Sequence, residues 1–160
     1  MPHLFLDCDG VLADFDAGAR TILGAPVEVF EKRHGKSEFW RRLARAKDFY
    51  ATLPEMADAR ALFDAVEHLQ PTILTGLPMG NWAAPQKVRW AAEHFPDTPI
   101  ITCMARDKYR HMQPGDVLVD DREQHRGKWE DAGGVFVHHR SAKASLHELA
   151  LLFPSIKAPA

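Results

Sequence analysis

Five short apolar runs, each separated from the next by a stretch with helical spacing, constrain this chain more than any other feature. They lie at residues 4–6, 71–75, 99–103, 116–121 and 134–138. Short apolar runs bounded by turn residues read as buried strands. Strands that alternate with helices predict an α/β fold, a doubly wound parallel sheet with helices on both faces. In such a sheet, ligands bind beyond the carboxyl ends of the strands. Chemistry is therefore expected in the residues just past the end of each run.

The first run closes on Asp7-Cys8-Asp9-Gly10, two carboxylates one residue apart and a glycine that lets the chain turn. The fourth closes on Asp120-Asp121. Like charges at the end of an apolar strand are costly unless a cation or a basic partner offsets them. Carboxylates so placed can hold a hard cation, and one of them can attack an electrophile. The second run ends in Thr75-Gly76, a hydroxyl and an accessible backbone N–H suited to an anion. Beyond the third run lie Arg106 and Lys108, of which the lysine can neutralise a nucleophile and a phosphate together. Lys87 competes with Lys108 for that role, but its reading here is a solvated helix face. Arg106 is a candidate phosphate ligand.

Between the first two runs lies a helical stretch, residues 16–52, expected to form a small cap on a core made of residues 1–15 and 53–160. It is rich in large aromatics, most of them expected to be its own core. Phe15, Trp40 and Phe49 are candidates to stack on a substrate ring. Asp58 is expected to cap the next helix. The helix after the second run should bury Val88, Ala91, Ala92 and Phe95. Ser145 with Glu148 reads as a capping box opening the last helix. His138 and His139 are adjacent on a strand, so they point to opposite faces and receive no role.

Composition narrows the function further. The chain has 160 residues, enough for one compact domain, and 46% hydrophobic content supports a sizeable core. A formal charge of −2 argues against a nucleic-acid polymer as partner. Cys8 and Cys103 read as buried free thiols in strands, which suits a reducing compartment. The first strand begins at once, leaving no signal peptide, and no apolar run is long enough to cross a membrane. The expectation is a cytoplasmic enzyme, monomeric or homodimeric.

The order of these motifs resembles that of the haloacid dehalogenase (HAD) superfamily, most of whose members are magnesium-dependent phosphatases. Asp7 to Gly10 stands at its first motif, Thr75 at the second, Lys108 at the third and Asp120-Asp121 at the fourth. The stretch Asp7-Cys8-Asp9-Gly10-Val11-Leu12-Ala13-Asp14-Phe15 is especially similar to the 5'(3')-deoxyribonucleotidase family, as is Arg106-Asp107-Lys108. Gly76-Leu77-Pro78 departs from that family's Thr-Ser-Pro pattern. The resemblance implies a strand order of 5-4-1-2-3 and a small cap after the first strand. It implies a magnesium ion held by Asp7, the Asp9 carbonyl and Asp121, with Asp120 as orienter or further ligand. Asp7 would be the nucleophile, Asp9 the acid and base, and Thr75, Gly76 and Lys108 the phosphate ligands. The substrate would be a small phosphomonoester, with a nucleoside monophosphate favoured and sugar or other organic phosphates open. A phosphotransferase or phosphomutase would share these residues. A dehalogenase would not need Asp9. A receiver-type signalling domain would carry its acids after different strands, and a non-catalytic phosphate-binding relative would have lost a catalytic position.

Overall fold

The computed structural model describes residues 1–160. All five strands form: β1 (Leu4–Leu6), β2 (Thr72–Gly76), β3 (Ile100–Cys103), β4 (Val117–Asp120) and β5 (Val135–His138). They pair in parallel in the order β3-β2-β1-β4-β5. This is the predicted order read from the other edge. β1 is central, so both neighbours of its C-terminal end carry chemistry.

Successive residues of a strand face opposite sides of the sheet. Leu4, Leu6, Ile73, Val117, Val119 and Val137 face one side and join a core of 31 buried residues. Phe5, Leu74, Leu118 and Phe136 face the other and join Met112 and Trp129 in a core of six buried residues, against which Ile101, Cys103, Tyr109 and Ala132 pack. The thick side is covered by α4 (Ala59–Val66), α5 (Ala83–His94) and α7 (Ala142–Leu152); the thin side carries the six-residue α6 (Arg126–Asp131).

After β1 the chain leaves for α1 (Phe15–Leu23), α2 (Val27–His34) and α3 (Lys36–Arg45). The Asp14 carboxylate accepts from the Ala17 N–H at 3.0 Å and caps α1, while Gly24 closes it in the left-handed conformation, φ 71°. The outgoing and returning segments are tied at a neck. Asp14 N–H donates to the Pro54 carbonyl and Met56 N–H to the Leu12 carbonyl, each at 2.8 Å. Phe30, Phe39, Leu43, Phe49 and Tyr50 from this excursion join the same large core as β1. The helices are thus packed onto the sheet's neighbourhood and held at a fixed place above β1.

Two helix starts differ from expectation. α7 begins at Ala142, with the Ser141 hydroxyl accepting from the Ala144 N–H at 3.1 Å. Ser145 lies one turn inside and bonds His139 instead, at 2.7 Å. Asp58 occupies the N-cap position of α4, but its side chain does not bond that helix. Its carboxylate accepts from the Ala142 N–H at 2.7 Å, joining α4 to α7. Cys8 is buried just past β1, whereas Cys103 at the end of β3 is only half-buried; both are free.

Candidate active site

The C-terminal ends of β1, β2 and β4, with the 3-10 segment Ala105–His111 after β3, converge on one cavity of about 390 Å³. Asp7, Asp9, Gly76, Arg106, Lys108, Asp120 and Asp121 all line it. Phe15 and Trp40 line it from the helical insertion. Phe49 does not. It is 2% exposed and packs edge-on against Phe15 and Tyr50, so its ring serves the core rather than a ligand. Thr75 is fully buried and stands behind the wall, not in it.

Two buried lysines divide the floor of the cavity. Lys108 Nζ donates to Asp7 Oδ1 and to Asp120 Oδ2, both at 2.9 Å. Lys87 Nζ donates at 2.8 Å to each of Asp9 Oδ2, Thr75 Oγ1 and the Gly76 carbonyl. The expectation of a solvated Lys87 is therefore wrong: the residue is 1% exposed. The buried stripe of α5 is Ala83, Lys87, Trp90 and Ala91, and Val88 is 46% exposed. Reading Val88 as buried turned the helix the wrong way. The signal that would have found Lys87 is its spacing from Ala83, Trp90 and Ala91, which sets it on their face.

The electrostatics follow from this pairing. Burial opposes the ionisation of Asp7, yet the Lys108 ammonium beside it holds its carboxyl below the usual carboxylate range. Burial also opposes charge on Lys108, but Asp7 and Asp120 hold its ammonium well above the usual lysine value. Asp120 is pushed up to about 6 by burial and by the charge of Asp7. Burial, with the charges of Asp7 and Asp120, pushes Asp121 up to about 8. Asp7, Asp120 and Asp121 each offer an oxygen, all within 4.8 Å of one another. Three carboxylates thus face one ammonium.

Asp121 Oδ1 is buried with no hydrogen-bond partner, and so is Asp9 Oδ1. A buried acceptor without a donor is costly. Both Asp120 oxygens are engaged, one by Lys108 and the other by the Arg122 N–H at 3.0 Å. The donor set is hard oxygen with an excess of negative charge, and it fits a divalent cation. Gly10 makes room for it. The residue has φ 81°, and a Cβ there would lie 2.0 Å from Asp121 Oδ2.

Along β2, Ile73 and Leu77 donate their N–H groups toward the β3 side, to Pro99 and Cys103 carbonyls at 2.8 Å. Gly76 is out of phase with them, so its N–H faces the β1 side, past the end of that strand. His138 and His139 do point opposite ways. His138 reaches the Asp121 carbonyl at 3.0 Å, and His139 is buried against Ser145 at the cavity's edge.

No family model and no curated protein matches this sequence. Solved structures do match the fold. One is a hydrolase from Streptococcus pneumoniae TIGR4, with TM-score 0.54 and 11% identity, covering 95% of this chain and 97% of that one. Another is the HAD hydrolase, family IA, variant 3, from Entamoeba histolytica HM-1:IMSS, with TM-score 0.51 and 16% identity, covering 99% and 90%. The α/β fold is thus one found in HAD hydrolases.

Proposed function

We propose that this protein is a magnesium-dependent phosphomonoester hydrolase that works through an aspartyl-phosphate on Asp7. The observation that carries the reading is the ionised, buried Asp7 held by Lys108 beside an acceptor-rich pocket. A carboxylate kept ionised in a desolvated site is a competent nucleophile. Asp7 attacks phosphorus and the ester P–O bond breaks. Asp9 serves as the general acid and gives a proton to the leaving alkoxide. It then accepts one from the water that cleaves the acyl-phosphate, releasing inorganic phosphate and regenerating Asp7. Lys108 and the Gly76 N–H stabilise charge on the phosphoryl oxygens. Lys87 holds Asp9 and Thr75 in place. Asp7, the Asp9 carbonyl and Asp121 would hold magnesium, with Asp120 beside them, and the bound ion would offset the negative charge of the phosphate.

The substrate in this reading is a small organic phosphate, with nucleoside monophosphates favoured because Phe15 and Trp40 line the cavity. Stacking of a base on an aromatic ring is worth about 1–3 kcal/mol. No helix is long and apolar enough to cross a membrane, and a cytoplasmic site of action belongs to the same reading. The division into a core and a cap at residues 16–52 is also part of it.

Phosphate release from an aryl phosphate, nucleoside 5'- and 3'-monophosphates and sugar phosphates tests the proposal. Turnover with magnesium and none with chelator is expected, and Trp40→Ala should raise KM for a nucleotide. No turnover of any phosphoester, or equal rates with chelator, would refute the hydrolase. A non-nucleotide preference untouched by Trp40→Ala would refute the nucleotidase alone.

A further inference from the structure

The cavity has a second charged region that phosphoryl transfer at Asp7 does not use. On the side of α6, Arg106 and Lys128, both exposed, line it together with His125, which precedes that helix. Lys128 Nζ approaches the Arg106 carbonyl at 3.5 Å and lies 5.8 Å from the centre of the Tyr109 ring. Lys128, Lys108 and Arg106 all act on the His125 ring and, after burial, hold its pKa below the usual histidine value. Two exposed cations thus line the same cavity as His125, in a chain whose formal charge is −2.

Arg106 and Lys128 are not neutralised by a carboxylate. Nearby acids pair with other residues: Glu130 with Arg126, Glu123 with Arg126 and His138, and Asp107 with Arg110. The acids of the cavity floor are held by Lys108 and Lys87. Arg106 and Lys128 join no ion pair, and both line the cavity, as do the equally unpaired Arg122 and Arg140. Unneutralised cations at the wall of a cleft focus its potential and favour an anion. A guanidinium matches a carboxylate or phosphate in geometry, and an ammonium adds a point charge.

We infer that Arg106, His125 and Lys128 form a second anion subsite, so that the natural substrate carries a carboxylate or second phosphate besides the phosphoryl group that is transferred. The inference deepens the phosphatase reading and rests on it for the first group. A small molecule is the fitting occupant, because the two regions share one cavity of about 390 Å³. A nucleotide with a further phosphate satisfies both this subsite and the aromatic wall. So does an unrelated phosphorylated acid, and substrates of each kind tell the two sources apart.

Inert phosphonates test the subsite without turnover. Alkylphosphonates and ω-phosphonocarboxylates of equal chain length, two to five methylenes in each series (a span set by design), are titrated calorimetrically into the whole protein in magnesium buffer. At the best length, the carboxylate should bind about tenfold tighter, the scale of one charge-assisted hydrogen bond. The advantage should shrink with added salt. It should vanish in the Arg106→Gln/Lys128→Gln double variant and return in Arg106→Lys/Lys128→Arg. Equal affinities at every length, or an advantage that survives the double Gln variant, would overturn the subsite. In parallel, phosphate release is compared for glycerol 3-phosphate against 3-phosphoglycerate, and for a nucleoside 5'-monophosphate against its 3',5'-bisphosphate. The inference expects a higher kcat/KM for the doubly anionic member of at least one pair. Turnover with no such preference and equal phosphonate affinities removes the subsite and leaves the hydrolase. The phosphonate preference without any turnover removes the hydrolase and leaves the subsite.

Discussion

The two lysine-centred halves of the cavity floor differ in what they lack. Around Lys87 the charges balance: one ammonium meets one carboxylate, a hydroxyl and a carbonyl, each at 2.8 Å, although Asp9 Oδ1 is left without a partner. Around Lys108 they do not. Three carboxylates crowd one ammonium, and Asp121 Oδ1 has no partner. A charge-balanced polar network fixes geometry. An over-negative one is poised for an added cation. In the proposed reading, Lys87 positions the acid and base Asp9 while the Lys108 half holds the nucleophile and the cation, and substitutions on either side can overturn that division.

The largest effect should come from the nucleophile. Asp7→Asn is expected to lower turnover by about 10⁴-fold or more, as losing a nucleophile does elsewhere. Steady-state phosphate release measures it, and near-native activity would end the assignment. Next come the lysines, compared by denaturation in chelator. Lys108→Met strands two nearly buried carboxylates and should cost about 3–5 kcal/mol. Lys87→Met strands a single carboxylate, Asp9, whose side chain is 27% exposed, with the neutral Thr75 hydroxyl and Gly76 carbonyl, and should cost less. An equal loss would erase the contrast between the halves. Both variants should lose turnover, Lys108→Met the more.

Magnesium should stabilise the wild type by about 2.7 kcal/mol at a hundred times its dissociation constant. Asp121→Asn should lose most of that increment, because it removes a carboxylate charge from the crowded half. A thermal melt with and without the ion reads this directly, and an increment unchanged in Asp121→Asn would move the cation elsewhere. The smallest effect tests packing behind the site. Asp58→Ala deletes the bond to the Ala142 N–H and should cost about 1 kcal/mol, the scale of a helix cap. A neutral result would mean that α7 is held by its apolar side alone.

The legibility of the site in the sequence follows the same division. Asp7, Asp9, Asp120 and Asp121 could be read because each sits directly at the end of an apolar run, where strand and chemistry are adjacent in the chain. The sheet order was legible through the motif order. Lys108 could be read because it lies in the loop past the third strand, in an Arg106-Asp107-Lys108 stretch that resembles the deoxyribonucleotidases. Lys87 could not, because its role depends on which way α5 rolls against the sheet. Val88 and Ala92 suggest one roll, and the packing of Trp90 chose the other. Phe49 failed for the converse reason: an aromatic near a mouth looks like a platform, and only packing reveals that its ring is enclosed. The start of α7 shows the same limit at a smaller scale. Ser141 and Ser145 both suit a cap, and His139 decided between them by taking Ser145. The rim of Arg106 and Lys128 needs two elements far apart in the chain to meet, and no local pattern announces it.

The most direct test of the central claim is to locate the phosphoryl group during turnover. The wild type, saturated with an aryl phosphate in magnesium buffer, is quenched in acid, digested and analysed by mass spectrometry. The account predicts a phosphorylated peptide spanning Asp7, with the group on Asp7, that is absent from Asp7→Asn. Continued hydrolysis by Asp7→Asn, or a phosphoryl group found on any residue other than Asp7, would contradict it.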